Sequence, residues 1–323
     1  MTRGFGLYSA AAVLAMSVVS AEHSAEPGQD PPRTVFRSSA SAVSVDVTVR
    51  DRSRRSITGL SASDFQVYDN GVLQQVDAVS YGKLPIDVTV ALDVSYSVTG
   101  TVLDRLRRGV VQLARDLERG DRLKLVLFNM RVNRTTDFTN DARSIEHAMR
   151  NLEAGGGTAL LDAISVTLVS ASTSDRRQLV VFFTDGSDSS SITTPEVVTA
   201  VAQRTRATLA FVMPANTRTL SLFSGSSFRN GVPIPSTTIT RVDPVVAPPA
   251  FSRLAAETGG SILPVGAGTD LSAAFRSVLS AFRSAYVLYY TPKGVDRDGY
   301  HTIEVKTHRE GATVQARRGY FAS

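Results

Sequence analysis

The chain has 323 residues, a formal charge of +5, 42% hydrophobic and 20% charged residues, an ordinary globular composition with length enough for two or three domains. It contains no cysteine, which excludes disulfide frameworks, thiolate zinc sites, iron–sulfur clusters and a cysteine nucleophile. No two of the four histidines (His23, His147, His301, His308) fall within four residues of each other, so hard, oxygen-rich metal sites are the ones left to look for. The bases are interleaved with acids, as in Asp104-Arg105-Leu106-Arg107-Arg108, and no nucleic-acid partner is expected from such scattered charge.

Residues 1–21 read MTRGFGLYSAAAVLAMSVVSA: one base at Arg3, an apolar stretch from Leu7 to Val19, then small residues around Ser20 and Ala21. This is the pattern of a secretory signal. The stretch is shorter than the roughly 18 to 20 residues a membrane span needs, so removal rather than anchoring is expected, with export to the periplasm, cell surface or medium. Residues 22–33 are polar with Pro27, Pro31 and Pro32 and read as a linker. No later segment is apolar enough to span a membrane.

Residues 34–83 alternate apolar and polar, as at Val43, Val45, Val47 and Val49, and Asp69-Asn70-Gly71 separates 65–68 from 72–79. That is a hairpin signal.

Residues 84–285 alternate strand and helix. Residues 86–92 (IDVTVAL) form a β-branched run ending at Asp93, the mark of a strand buried on both faces. A helix with apolar positions Leu103, Leu106, Val110, Leu113 and Leu117 follows and stops at Gly120. A strand at 123–128, an edge strand over 133–138 and helices over 141–152 and 159–170 come next. The strand 178–184 again runs into a carboxylate, Asp185, and Thr194-Pro195-Glu196 opens another helix. A strand at 208–213, a helix at 251–258, a short strand at 261–265 and a helix striped by Leu271, Phe275, Val278 and Phe282 complete the series. The expected fold class is α/β, a doubly wound, mostly parallel sheet with helices on both faces. Between 214 and 249 the chain makes a proline-rich excursion that holds at most a hairpin. Residues 286–323 return to β patterning. The two β-rich ends, 34–83 and 286–323, are expected to pack as one antiparallel β-sandwich from which the central domain is inserted; two separate small sheets are the alternative. His301 and His308 are expected at the surface.

In parallel sheets, ligands gather outside the carboxyl ends of the strands, which selects Asp93-Val94-Ser95-Tyr96-Ser97, Gly155-Gly156-Gly157-Thr158 and Thr184-Asp185-Gly186. Asp93, Ser95, Ser97, Thr158 and Asp185 offer only hard oxygen donors, which suits magnesium, with manganese or calcium as alternatives. Two carboxylates roughly balance a divalent ion and leave it able to accept an acid from a partner. D-x-S-x-S alone arises by chance in about one protein in ten of this length, so the conjunction carries the argument: the motif abuts a buried-type strand, Gly-Gly-Gly-Thr lies before a helix, and the second carboxylate ends another such strand. The alternative use is structural: the serines cap the next helix and Asp185-Gly186 makes a turn.

VTVALDVSYS, GGGTALLDAI and LVVFFTDGSD, in that order, resemble the von Willebrand factor type A domain and its metal-ion-dependent adhesion site, over roughly residues 84 to 286. The flanks, including DFQVYDNG and RRGYF, look like bacterial exported proteins of that type. The resemblance implies that Ser95, Ser97 and Thr158 hold the ion by their hydroxyls, that Asp93 and Asp185 reach it directly or through water, and that a partner protein's Asp or Glu supplies the last ligand. Val98 and Thr99 depart from the small-residue-then-methionine continuation often seen there, without removing a ligand. The expected function is a non-enzymatic, exported protein-binding module; a structural envelope component with a vestigial ion site is the alternative. A magnesium-dependent hydrolase or phosphotransferase using Asp93 fits less well, because Ser95 stands where a second acid is wanted and lysines occur only at 83, 124, 293 and 306.

Overall fold

The protein is described here by a computed structural model covering residues 42–82, 84–150, 152–171, 176–214, 217–221, 228–229, 232–233, 238–242, 249–266 and 268–322. The signal and linker readings for 1–21 and 22–33 lie outside the described residues. The first strands are β1 (Val43–Arg50), β2 (Phe65–Asp69), β3 (Val72–Gln74) and β4 (Ala78–Tyr81). Asn70 and Gly71, with φ of 47° and 80°, make the β2–β3 turn, since a two-residue hairpin turn of this hand needs positive φ at both positions. The single strand expected over 72–79 is two strands in different sheets. The break comes where the buried Gln74 side chain bonds the backbone of Lys293 in both directions, and Asp77 N–H then starts a new ladder on Tyr289.

The central domain runs β5 (Ile86–Asp93), α1 (Thr101–Arg115), β6 (Arg122–Phe128), β7 (Val132–Thr135), α2 (Ala142–Arg150), α3 (Leu160–Val169), β8 (Arg177–Phe183), α4 (Pro195–Arg204) and β9 (Thr208–Pro214). Within the excursion, β10 (Thr217–Ser221) pairs antiparallel with β13 (Thr238–Val242) and β11 (Phe228–Arg229) with β12 (Val232–Pro233). Then come α5 (Pro249–Glu257), β14 (Ile262–Val265) and α6 (Leu271–Arg283). The sheet order is β14-β9-β8-β5-β6-β7, parallel throughout except for β7. This edge strand is shorter than the 133–138 expected; beyond it Thr136 still bonds Leu125 of β6, and Thr139 forms an isolated bridge to Leu123.

Leu106, Val110, Ile145, Phe275 and Leu279 from α1, α2 and α6 cover one face of the sheet; Ile164, Leu168, Val198 and Leu254 from α3, α4 and α5 cover the other. Burial on both faces is why β5 and β8 read as unbroken apolar runs: every residue of both is buried. Each buried Leu, Ile, Val or Phe side chain contributes about 1.5–3 kcal/mol. The one carboxylate placed inside β5 at its amino end, Asp87, is neutralised by Arg122 and Arg176.

The chain finishes with β15 (Tyr286–Tyr290), β16 (Gly299–Thr307), β17 (Thr313–Ala316) and β18 (Gly319–Ala322). Two four-stranded sheets result, β17-β1-β15-β4 and β18-β16-β2-β3, and each combines strands from both chain ends. Their inward residues, among them Val45, Val47, Phe65, Val67, Leu288 and Ile303, form one core, so the ends build a sandwich. β4 and β15 are antiparallel neighbours with Tyr81 opposite Tyr286, so the chain leaves for the central domain and comes back at adjacent points.

His301 corrects an expectation: it is 1% exposed, with Nδ1 2.7 Å from Asp69 Oδ1. It shares the inward parity of Ile303 along β16, and a buried carboxylate waits there to pair with it. His308, past the end of β16, is exposed.

Candidate functional site

The strand order reverses direction at β5: the chain goes outward to β6 and later returns on the other side as β8. Loops leaving the carboxyl ends on either side of such a switch point diverge and leave a crevice. Asp93 is the last residue of β5 and is fully buried. Its Oδ1 accepts the Ser95 N–H at 3.0 Å and its Oδ2 accepts the Thr184 hydroxyl at 3.1 Å. Ser95 Oγ and Ser97 Oγ are 3.1 Å apart, Ser95 buried and Ser97 exposed, so the cluster opens to solvent on the Ser97 side.

The glycine loop is stitched to both neighbours. Gly155 N–H donates to Val94 O at 2.8 Å, Tyr96 N–H to Gly156 O at 3.1 Å, and Ala159 N–H to Asn129 O at 2.7 Å. Asn129, just past β6, donates its amide to Gly155 O at 2.8 Å. Gly156 has φ of +81°, and a Cβ there would stand 3.2 Å from Met130 Cγ; a Cβ on Gly157 would stand 2.8 Å from both Ser189 Oγ and Ser190 Oγ. The run of glycines therefore lets three loops close up where side chains would hold them apart.

Thr158 emerges from that loop buried, donating its N–H to Ser189 Oγ at 3.0 Å and accepting Ser189 and Ser190 N–H groups on its carbonyl. Asp185 follows β8 by two residues, caps its own turn through Ser187 N–H at 2.9 Å and lies near enough to act on the charge of Asp93. Burial raises the Asp93 carboxyl above its ordinary range and the Asp185 charge adds to this, while hydrogen bonds from Ser95 and Thr184 oppose it. All five residues expected at the site thus sit on three hydrogen-bonded loops at one end of the sheet. Among the described residues no group of three or more His, Asp or Glu could hold a metal; this cluster has two carboxylates, with hydroxyls for the rest.

Three supporting residues carried no assigned role in the sequence. Thr184 fixes Asp93. Asn129 anchors the glycine loop and has no sequence signal beyond its place after a strand. Asp162, in the first turn of α3, accepts the N–H groups of Ile192 (3.1 Å) and Thr193 (2.7 Å) and so ties down the loop after Asp185. An acid in the first turn of an apolar helix is the usual sign of an N–H-seeking carboxylate; only the fold reveals that the N–H groups belong to another loop.

A doubly wound α/β domain with its polar loops at the switch point is thereby defined. Residues 88–187 match the family model of the von Willebrand factor type A domain, so the chain carries a domain of that family, and such domains are generally protein-interaction modules that often bind a divalent cation. No curated protein matches the chain. Similar solved structures include an aerotolerance-related membrane protein from Bacteroides fragilis (16% identity, 61% of this chain and 98% of that one, TM-score 0.44). Others are the PilB minor pilin from Streptococcus sanguinis (15%, 62% and 62%, 0.44) and a von Willebrand factor type A protein from Catenulispora acidiphila (12%, 89% and 76%, 0.46). No helix among the described residues is long and apolar enough to cross a membrane.

Proposed function

We propose that the chain is an exported protein-binding module that holds a divalent cation on Asp93, Ser95, Ser97, Thr158 and Asp185 and uses it to capture an Asp or Glu side chain of a partner protein. The observation that carries this reading is the 3.1 Å separation of Ser95 Oγ and Ser97 Oγ. Neighbouring ligands of an octahedral magnesium ion, each at 2.0–2.1 Å, lie about 2.9 Å apart. The donors are oxygens throughout, which suits magnesium, manganese or calcium, and a buried carboxylate beside a second one is an environment that a divalent ion relieves. When bound, the cation supplies an electrophilic position for an outside carboxylate; the chain's own part is to orient five oxygens and leave the Ser97 side open. Export rests on the pattern of residues 1–21 alone.

Calorimetric titration of the whole chain with magnesium chloride tests the reading. Wild type is expected to bind the ion and melt at a higher temperature in its presence, because a ligand at 100 times its Kd stabilises by about 2.7 kcal/mol. Asp93→Ala is expected to lose both effects while keeping its circular dichroism spectrum. Equal magnesium affinity in the two proteins would overturn the assignment.

A further inference from the structure

The loops that carry the oxygen cluster also carry exposed apolar side chains. Ile192 at 92% and Tyr96 at 75% are the two most exposed large apolar residues among those described, and Met130 is 59% exposed. Tyr96 stands between Ser95 and Ser97, Ile192 lies on the loop that follows Asp185, and Met130 follows β6 on the loop beside them. Two of them lie against the glycine loop, and the third belongs to a loop that reaches it. Tyr96 packs over Gly155, Met130 over Gly156 and Gly157, and the Ser189–Ser190 end of the last loop meets Gly157 from the other side.

These side chains are displayed on fixed backbone. Tyr96 N–H is bonded to Gly156 O, and Asn129 N–H to Arg131 O closes a turn that projects Met130. Ile192 N–H and Thr193 N–H are both held by the Asp162 carboxylate. Exposed large apolar groups on a rigid frame lose little conformational entropy when a partner covers them, which is what gives interface residues their leverage. Covering them also removes water from around the central contact, and an ion–carboxylate bond strengthens as the local dielectric falls.

We propose that Tyr96, Met130 and Ile192 form an apolar collar that selects the partner: a protein segment whose Asp or Glu is flanked on both sides by large apolar or aromatic residues. This rests on the proposed function, because the acidic residue is placed by the cation, and it assigns partner specificity to side chains that hold no metal. A carboxylate in polar surroundings would leave the collar wet and gain only the ion contact.

The test uses the whole chain and an array of heptapeptides with a central Asp, flanked either by Leu and Phe or by Ser, read in magnesium chloride and again in chelator. Wild type is expected to bind the apolar-flanked series roughly tenfold or more tightly than the serine-flanked series, and only with magnesium. The triple variant Tyr96→Ser, Met130→Ser, Ile192→Ser is expected to bind magnesium as wild type does by calorimetry and to bind both series equally. Equal binding of the two series by wild type, or a preference that survives in the triple variant, overturns the collar and leaves the ion site standing. Loss of magnesium binding and of all Asp-dependent binding in wild type brings down the ion reading and the collar with it. A concentration-dependent wild-type dimer in sedimentation, abolished by Tyr96→Ser, would place a second copy of this chain on the collar and overturn the choice of partner.

Discussion

Asp69 is fully buried in the sandwich and takes hydrogen bonds from Tyr290 and Tyr320, each at 2.9 Å, while its other oxygen meets His301 Nδ1. Burial, and then the neighbouring Asp69 carboxylate, push both tyrosine hydroxyls well above their ordinary range, which favours their neutral, donating form. One carboxylate thus satisfies the buried Tyr290 and His301 and the half-buried Tyr320, and Asp69→Ala would leave Tyr290 unpaired and the other two with only each other, 3.3 Å apart. The expected loss is about 3–5 kcal/mol, read as a fall in the urea midpoint, with Asp69→Asn falling between the two because it keeps an oxygen. A midpoint unchanged by Asp69→Ala would show that water takes over the cluster. The sequence marked Asp69 only as the start of a turn, since its second role depends on β16 and β18 arriving from more than 200 positions away.

The elements followed their periodicity closely where one face of a helix or both faces of a strand met the core. Leu103, Leu106, Val110 and Leu113 line the buried side of α1 as their spacing requires, whereas Thr194 occupies the N-cap of α4 without making a capping bond. The loop between β8 and α4 has no periodicity to read, and its shape is set by Asp162. Burial of that carboxyl is outweighed by the bonds from Thr193 and Ile192, which hold it below its ordinary range. A carboxyl with a depressed folded-state pKa contributes stability that is complete above its unfolded value near 4 and fades as the pH falls through the lowered one. Asp162→Ala is expected to speed amide exchange at Ile192 and Thr193 by about tenfold, the equivalent of one lost charge-assisted bond, leaving exchange in β8 unchanged. Protection that persists at both amides would mean the loop holds itself.

At the scale of the molecule, the central domain and the sandwich are tied by polar contacts. Arg177 at the start of β8 pairs with Asp46 of β1 at 2.7 Å, donates to Phe282 O, and lies 4.1 Å over the Phe282 ring. Arg317 of the carboxyl end donates to Thr205 O, and Tyr300 of β16 donates to Glu257 of α5 at 2.8 Å. Because the Arg177 side chain is 5% exposed, Arg177→Ala strands the largely covered Asp46 carboxylate, while Phe282 O keeps the Ala285 N–H. The substitution is expected to cost about 3–5 kcal/mol and to split a single calorimetric unfolding transition into two; one sharp transition at the wild-type temperature would refute the clamp. Burial, then the bond to Glu257, push the Tyr300 hydroxyl up to about 12. Its share of stability is therefore whole below the unfolded value near 10 and lost as the pH rises from there to about 12. In Glu257→Gln, tyrosinate absorbance is expected to show this step falling only part of the way back toward the ordinary value, because burial remains; a step that stays put would show that the carboxylate plays no part.

What the sequence determined by itself was whatever depends on neighbours along the chain: the α/β alternation, the β character of both ends, the Asn70-Gly71 turn, and five oxygen-bearing side chains on two strand-end loops and a glycine loop before a helix. Those follow from side-chain periodicity and from the rule that parallel strands bring their carboxyl ends to one rim. Tertiary structure decided the rest. It divided the strand expected over 72–79 between two sheets, turned His301 inward, and recruited Thr184, Asn129 and Asp162 to brace the rim. In each of these the deciding bond joins residues far apart in the chain, and a local pattern has no term for a partner that only the finished fold supplies.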